Sequence, residues 1–435
     1  DITDYISIKA IFNENLDGLS FAGQGGLAGL GAQVVIFNDR SSQRAHVNDN
    51  VQLKQAGDRV EIIAIANRVI EADSIGVSVG VLAAGATISI GEVAPSSASK
   101  AGIEAVTSAT IGDNVTVGGT LEVQDLVLQA DSTISIITDT IGVGAGAALS
   151  GAGAVSKSII EPLVLVSIGS GANIQVTRDL DLLSQSTADA DAEALGVSVG
   201  GGASVGISLA EASITGTVKA VIGASAAMIS AGRDIRVRAL QNVDEAGAGN
   251  LNKKARAEGN ASGGSLGLAG NGVDAEATAS PNVEAGIDSD LTTIDGDIII
   301  SAVANNIAVV DESPSITIGL TLAVGAVIEE ATASGTTQAR FGGSQINGNG
   351  DLSIESINLS RADARAMAAG GGLISGAGAD ATSTTSPFVT SYISPNATIS
   401  VSGDVNILAS AEIGSRAEAL GISGGALAVG ASLSD

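Results

Sequence analysis

The chain has 435 residues, 45% of them hydrophobic and only 2% aromatic, and its 47 acidic against 20 basic residues give a formal net charge of −27. That hydrophobic share is too large for a disordered chain, and so negative a surface repels nucleic-acid phosphates and anionic lipid, so neither nucleic-acid binding nor membrane insertion is expected. The absence of cysteine excludes disulfides, thiolate metal sites and cysteine nucleophiles together, and the single histidine, His46, excludes a multi-histidine metal site.

Taken in chain order, the first element is a short apolar alternation that returns about every 57 residues, the signature of a repeat architecture. It reads Ile6-Ser7-Ile8, Val60-Glu61-Ile62, Leu121-Glu122-Val123, Leu180-Asp181-Leu182, Ile235-Arg236-Val237, Ile298-Ile299-Ile300, Leu352-Ser353-Ile354 and Val405-Asn406-Ile407. A glycine and an aspartate precede several copies, as in Gly296-Asp297, Gly350-Asp351 and Gly403-Asp404. Glycine supplies a turn there, and the aspartate is expected to bond its own backbone.

The second element is charge alternating with alanine, as in Ala188-Asp189-Ala190-Asp191-Ala192-Glu193-Ala194 and Ala362-Asp363-Ala364-Arg365-Ala366. Strict alternation would scatter alanine around a helix but places all of it on one face of a strand, so Ala364 is expected inward and Asp363 outward. Glycine clusters follow, at Gly200-Gly201-Gly202, Gly263-Gly264 and Gly370-Gly371-Gly372. They are followed by neither a helix nor Gly-Lys-Ser/Thr, so they are read as bends and not as phosphate-binding loops.

A third element closes each repeat. It reads Pro162-x-Val164-x-Val166-x-Ile168, Gly216-x-Val218-x-Ala220-x-Ile222, Pro281-x-Val283-x-Ala285-x-Ile287 and Pro387-x-Val389-x-Ser391-x-Ile393. Weaker copies are Ser41-x-Gln43-x-Ala45-x-Val47, Ala101-x-Ile103-x-Ala105-x-Thr107 and Gly335-x-Thr337-x-Ala339-x-Phe341. Proline suits a strand's first residue because it has no N–H to give to the ladder.

These patterns predict an all-β, elongated parallel β-solenoid with a thin Ala/Val/Ile core, forming one continuous array over residues 1–435 of about seven and a half repeats. One repeat can make one long coil or three coils of about 19 residues, and three are expected. Four aromatics, Tyr5, Phe12, Phe21 and Phe37, fall near the start, which marks either a bulkier core there or ordinary variation between repeats. Neither end shows a signal peptide, a transmembrane stretch or a polar cap, so the chain is expected to be a segment of a longer chain or fibre, with further repeats or identical subunits joined end to end.

Chemical motifs are sparse. His46 points outward by the parity of Gln43, Ala45 and Val47, and is expected to be solvated and dispensable. Gly348-Asn349-Gly350-Asp351 and Asp295-Gly296-Asp297 are fragments of calcium-binding loops, but no tandem nonapeptides occur, so a turn role is expected, with calcium at these Asp-rich turns the weaker alternative. Sequons at Asn114, Asn260, Asn358 and Asn396 are no more than chance supplies. The acid pair Asp189/Asp191 recurs as strand decoration, and Thr107/Thr109 and Thr382/Thr384/Thr385 do not form aligned ranks. No catalytic, cofactor-binding or metal-binding residue is expected.

The Ala-x-Ala alternation, the Gly-Gly bend, the Pro-x-Val-x-Ala-x-Ile strand and the Gly-Asp-Val-x-Ile-x-Ala strand together resemble the repeats of large secreted bacterial filamentous adhesins, of the leukotoxin type and, more distantly, the filamentous haemagglutinins. The resemblance covers essentially the whole chain. It implies a secreted β-helical shaft at the bacterial cell surface that holds a receptor-binding part, not present here, away from the cell. The expected function is therefore that of a non-catalytic structural shaft. The alternative is a carbohydrate-acting or carbohydrate-binding β-helix, which would use a cleft with paired carboxylates and aromatic platforms.

Overall fold

A computed structural model describes residues 5–54, 56–93, 105–119, 122–224 and 228–435. They form a parallel β-solenoid, with one sheet of 19 strands running from the first repeat to the last and a second of 7 short strands along one side. Seven successive parallel pairings link eight coils.

One repeat makes one coil, not three. Ile6 pairs directly with Val60, and Leu126 with Leu180, so each residue hydrogen-bonds to its equivalent one repeat later, commonly 54 positions on. The coil starting at Leu180 shows how so many residues fit one circuit. Leu180–Gly200 runs out as one long strand, the chain bends at Gly201-Gly202, and Ala203–Ile214 returns along it. Thr217–Ile222 and Met228–Ala231 then close the circuit before Ile235 begins the next.

The cross-section is a wedge whose taper is written in side-chain size. Along the outgoing strand the inward positions are Leu180 and Leu182, then Ser184 and Ser186, then Ala188 to Ala194, then Gly196, Ser198 and Gly200, all buried. At the broad base Val, Ile and Leu from all three sides form one apolar cluster along the molecule, and alanines form a second, thinner one beyond the hydroxyl layer. Of the hydroxyls between them, Ser184 Oγ donates to the Val164 carbonyl at 3.0 Å, while Ser186 Oγ has no partner. At the thin edge the two backbones nearly touch. A Cβ on Gly144 would lie 2.3 Å from the Gly151 carbonyl oxygen, and one on Gly196 2.8 Å from that of Ile207, so a side chain at either position would force the facing strand to shift.

Two repeat assignments shift. The third copy of the first element is Leu126-Val127-Leu128, paired with Val60 to Ile62 below and Leu180 to Leu182 above. Leu121 lies outside the described residues, and Val123 opens the same strand three residues earlier, paired with Ala56. In the coil before it, which starts at Val60, the third element is Ala105-x-Thr107-x-Ala109-x-Ile111, in register with Gln43, Ala45 and Val47, while Ala101 and Ile103 lie outside the described residues. Around the third element the alternation runs on, so parity alone does not fix which pair stacks, whereas at the first element parity breaks between the buried Asp125 and Leu126. Gly263 and Gly264 also lie within the strand Ala255–Ser265, and the bend comes after them.

The turn aspartates act between coils and not on their own backbone. Asp125 Oδ1 accepts the N–H of Asp179 (3.2 Å), Asp179 that of Asp234 (3.2 Å), and Asp234 that of Asp297 (2.9 Å). The chain of bonds continues through Asp351 (2.9 Å) to Asp404 (2.7 Å). Each carboxylate thus ties one coil's turn to the next, and charge-assisted bonds of this kind are stronger than neutral ones.

Of the early aromatics, Phe12 and Phe37 take inward positions, whereas Tyr5 and Phe21 are exposed, so the core thickens only in part. Ala364 is fully buried between the two long sheets, in register with Val310 and Ala417. Replacing it by Leu adds a side chain where the sheets are too close to receive it, and should destabilise the molecule by about 1–3 kcal/mol. A thermal midpoint equal to that of the parent would show that the alanine layer can spread.

Candidate functional site

Charged side chains occupy inward positions at two places, around Arg68 and at Glu329, in a core otherwise built from apolar, hydroxyl and amide residues. Arg68 follows Ile62, Ala64 and Ala66 on the buried parity and is itself only 1% exposed. Its guanidinium reaches the coil below and the coil above. Nε donates to Asp39 Oδ2 at 2.6 Å, Nη2 to Gln43 Oε1 at 2.6 Å and to the Ser41 carbonyl at 3.1 Å, and Nη1 to Ser132 Oγ at 3.5 Å. Its centre also lies 5.5 Å from the middle of the Phe12 ring.

Glu14 sits directly below Arg68 in register. Burial, the negative Asp39 and a hydrogen bond with that carboxyl push Glu14 up to about 7. Asp39 goes the other way: burial would raise it, but bonds from Ser41 and the charge of Arg68 outweigh that and hold it below the ordinary aspartate range. The pair is one arginine facing one ionised and one readily protonated carboxyl, which keeps the buried cluster close to neutral.

Glu329 is the second case. It lies on the inward parity of Val327, Ala331 and Ala333, is 0% exposed, and occupies the column where neighbouring coils carry Ala275 and Ala381. Opposite it the long strand Ile298–Gly319 bulges between Val310 and Ser313, which aims the Ser313 N–H at Glu329 Oε1 (3.2 Å). Oε2 has no hydrogen-bond partner. Burial raises this carboxyl to about 9, with the Ser313 bonds opposing, so it is protonated at neutral pH.

Outward charges are engaged with neighbouring coils. Arg256 pairs with Asp191 (2.8 Å), Asp311 (2.6 Å) and Glu258, and Arg340 with Glu284 (2.9 Å) and Asp288. Asp189 meets Lys253 at 3.3 Å, so Asp189 and Asp191 each face a cation and do not converge as an acid–base pair. Asp363 departs from its expected exposure. It faces outward but is 2% exposed, because Arg365 (3.0 Å) and Arg361 (3.5 Å) lie over it.

His46 is exposed, as its parity requires, and lines a depression of about 500 Å³ with Arg44, Asp49 and Thr110. A second depression, of about 410 Å³, flanks the excursion at 242–254, which leaves the outer face after Gln241 and lays Val243 over Leu183, Leu240 and Val303. Arg361 and Glu412 border it, above Ile307, Leu359 and Ile413. Among the described residues no group of three or more His, Cys, Asp or Glu side chains is placed to hold a metal ion.

The inward Arg68 and Glu329 were missed by sequence reasoning, although parity carried the signal at both positions. No family model, curated protein or solved structure matches the chain.

Removing Arg68 leaves Asp39 buried beside Glu14 without a cation, so Arg68→Ala should destabilise the molecule by about 3–5 kcal/mol. Thermal unfolding of that variant and of Arg68→Ala combined with Asp39→Asn measures it, and the double change should recover part of the loss.

Glu14 and Glu329 bind protons more tightly folded than unfolded, so the folded state holds more protons between pH 4.5 and each raised value. Stability is therefore fully present at low pH and falls as pH rises, through about 7 for Glu14 and about 9 for Glu329. Each group contributes a slope of up to about 1.4 kcal/mol per pH unit. Thermal midpoints at pH 5 and pH 8 should fall less in Glu329→Gln than in the parent, and an identical fall would remove Glu329 as the cause.

Proposed function

We propose that this chain is a non-catalytic structural shaft of a secreted or cell-surface filament, as its likeness to the repeats of filamentous adhesins implies. The observation that carries the reading is the continuity of the parallel ladder, which resumes after each local bulge. Equivalent residues stack from Ile6 to Val405, and many charged groups are bound across coils, as Arg256 is to Asp191 and Asp311. Such a molecule resists bending and extension along its axis because every coil is joined to the next by many parallel hydrogen bonds. Further coils or identical chains adding along the axis are the partners this reading proposes.

In the carbohydrate-acting alternative, the depression beside the 242–254 excursion would be the cleft. Arg361 there is already drawn toward Asp363, and Glu412 stands exposed on the last coil. The shaft reading is tested by labelling intact source cells with antibody to this chain and viewing them by electron microscopy, together with incubation of the purified protein with a panel of acidic and neutral polysaccharides. Label along thin surface fibres and no release of shortened sugars are expected, also for His46→Ala. Label confined to the cell interior, or depolymerisation of any polymer, would overturn it.

A further inference from the structure

Charge is absent from one part of this strongly acidic chain. No charged residue occurs between Asp139 and Lys157, between Glu193 and Glu211, or between Glu312 and Glu329, and the other coils have an equivalent interval. Stacked in register, these intervals form the thin edge of the wedge and the adjoining outer face of the return sheet.

That face has a relief. At one outward position the column reads Gly151, Val205, Gly270, Val324, Gly376, Val429 through six successive coils. Two residues further on it reads Gly153, Ile207, Gly272, Ala326, Gly378, Ala431. Apolar ridges therefore alternate with glycine grooves every second coil, and the ridge residues are open to solvent, with Val205 50%, Val324 48% and Val429 65% exposed.

These glycines differ from those inside the thin edge. A Cβ on the inward Gly144 or Gly146 would strike backbone, whereas one on Gly270, Gly272 or Gly378 would meet nothing within 4 Å, and one on Gly376 would only touch the Val429 carbonyl oxygen at 4.0 Å. None of the four has a positive φ. Nothing within the chain requires glycine there, and glycine weakens a strand, so the requirement comes from a backbone or side chain outside it that approaches closely.

We propose that this face docks a second copy of the same face, related by a twofold axis parallel to the strands, with the ridges of each copy in the glycine grooves of the other. That operation sets the two solenoid axes antiparallel and brings Val205 opposite Gly376, Val324 opposite Gly270 and Val429 opposite Gly151. It is a closed, isologous contact, and ridge and groove spacing match because both are set by the same coil repeat. Charge favours this partner too, since two copies with a net charge of −27 each can approach only where their surfaces are uncharged. Six coils at about 4.8 Å and the six uncharged residues that open each return strand, at about 3.3 Å each, give roughly 570 Å² per copy, or about 1,150 Å² in total, with Asp274 and Asp380 at the rim. That lies at the lower edge of the about 1,200–2,000 Å² that stable specific interfaces bury. The proposal concerns a lateral face and stands whether or not the molecule is a shaft.

The test uses the whole chain. In sedimentation velocity the parent should shift from monomer to dimer with concentration, and Gly270→Val combined with Gly376→Val should fill two grooves and weaken the dimer at least 100-fold while its thermal midpoint is no lower than the parent's. Because the chain has no cysteine, single-thiol variants report the register without depending on that pair. Mixing Val324→Cys with Gly270→Cys under mild oxidation should give the mixed disulfide several-fold above either homodimer. A parent that stays monomeric, an association that survives both glycine substitutions, or cross-links without preference for the mixed pair would each overturn the proposal. So would a monomer that floats with phosphatidylcholine vesicles through this face, which would make the occupant a lipid surface.

Discussion

Parallel stacking of each residue on its own equivalent is the constraint from which the other features follow. Strands about 4.8 Å apart place like on like through the whole molecule, so a choice made at one position is repeated at every coil. For apolar residues the repetition is favourable, and the columns through Val60, Leu126, Leu180 and Ile235 make one continuous core. For charges it is not. Asp73, Asp139, Glu193 and Glu258 stand in a single column on consecutive coils, and Asp139 is raised by burial and then by Asp73 and Asp191. Like charges so placed destabilise a sheet. Arg256 in the neighbouring column, bound to Asp191, Glu258 and Asp311, relieves part of this repulsion.

The same stacking makes turns a collective property. A turn aspartate that bonded its own backbone would stabilise one coil. Here its Oδ1 lies under the N–H of the next coil's aspartate, so the turns form a ladder of their own beside the strand ladders. The bond needs a short carboxylate at the same place in every coil, which is why Asp recurs at 125, 179, 234, 297, 351 and 404 while the residue before it varies between Gln, Arg and Gly.

Period-two alternation and spaced recurrence were enough to read the solenoid, its inward faces and the outward place of His46, because both follow from backbone geometry common to every coil. The number of coils per repeat was not readable that way. It depends on whether the strand through Leu180–Gly200 continues or bends, and a strand of that length carries no turn signal until Gly200. Register failed near Ala101 because alternation is preserved under an even shift, and near Leu121 because parity breaks between the buried Asp125 and Leu126, so the stacked pair lies five residues on. Asp363 was misjudged because parity tells which face a residue occupies but not what lies over it. Arg68 and Glu329 break the inward pattern openly, and the assumption that a charge faces water hid them.

Buried charge and outward glycine are two forms of the same departure, in which a residue contradicts the demands of its own column. Arg68 is resolved within the chain, since Asp39, Gln43 and Ser41 from the coil below return its hydrogen bonds. Glu329 is resolved by protonation and by a bulge that turns one N–H toward it. The glycines at 270, 272 and 378 have no such internal resolution, because the space their missing side chains would fill is empty. A local inconsistency that the fold does not compensate points outside the fold. In a stacked array that pointer is repeated coil after coil, so a feature too small to bind anything once becomes a surface.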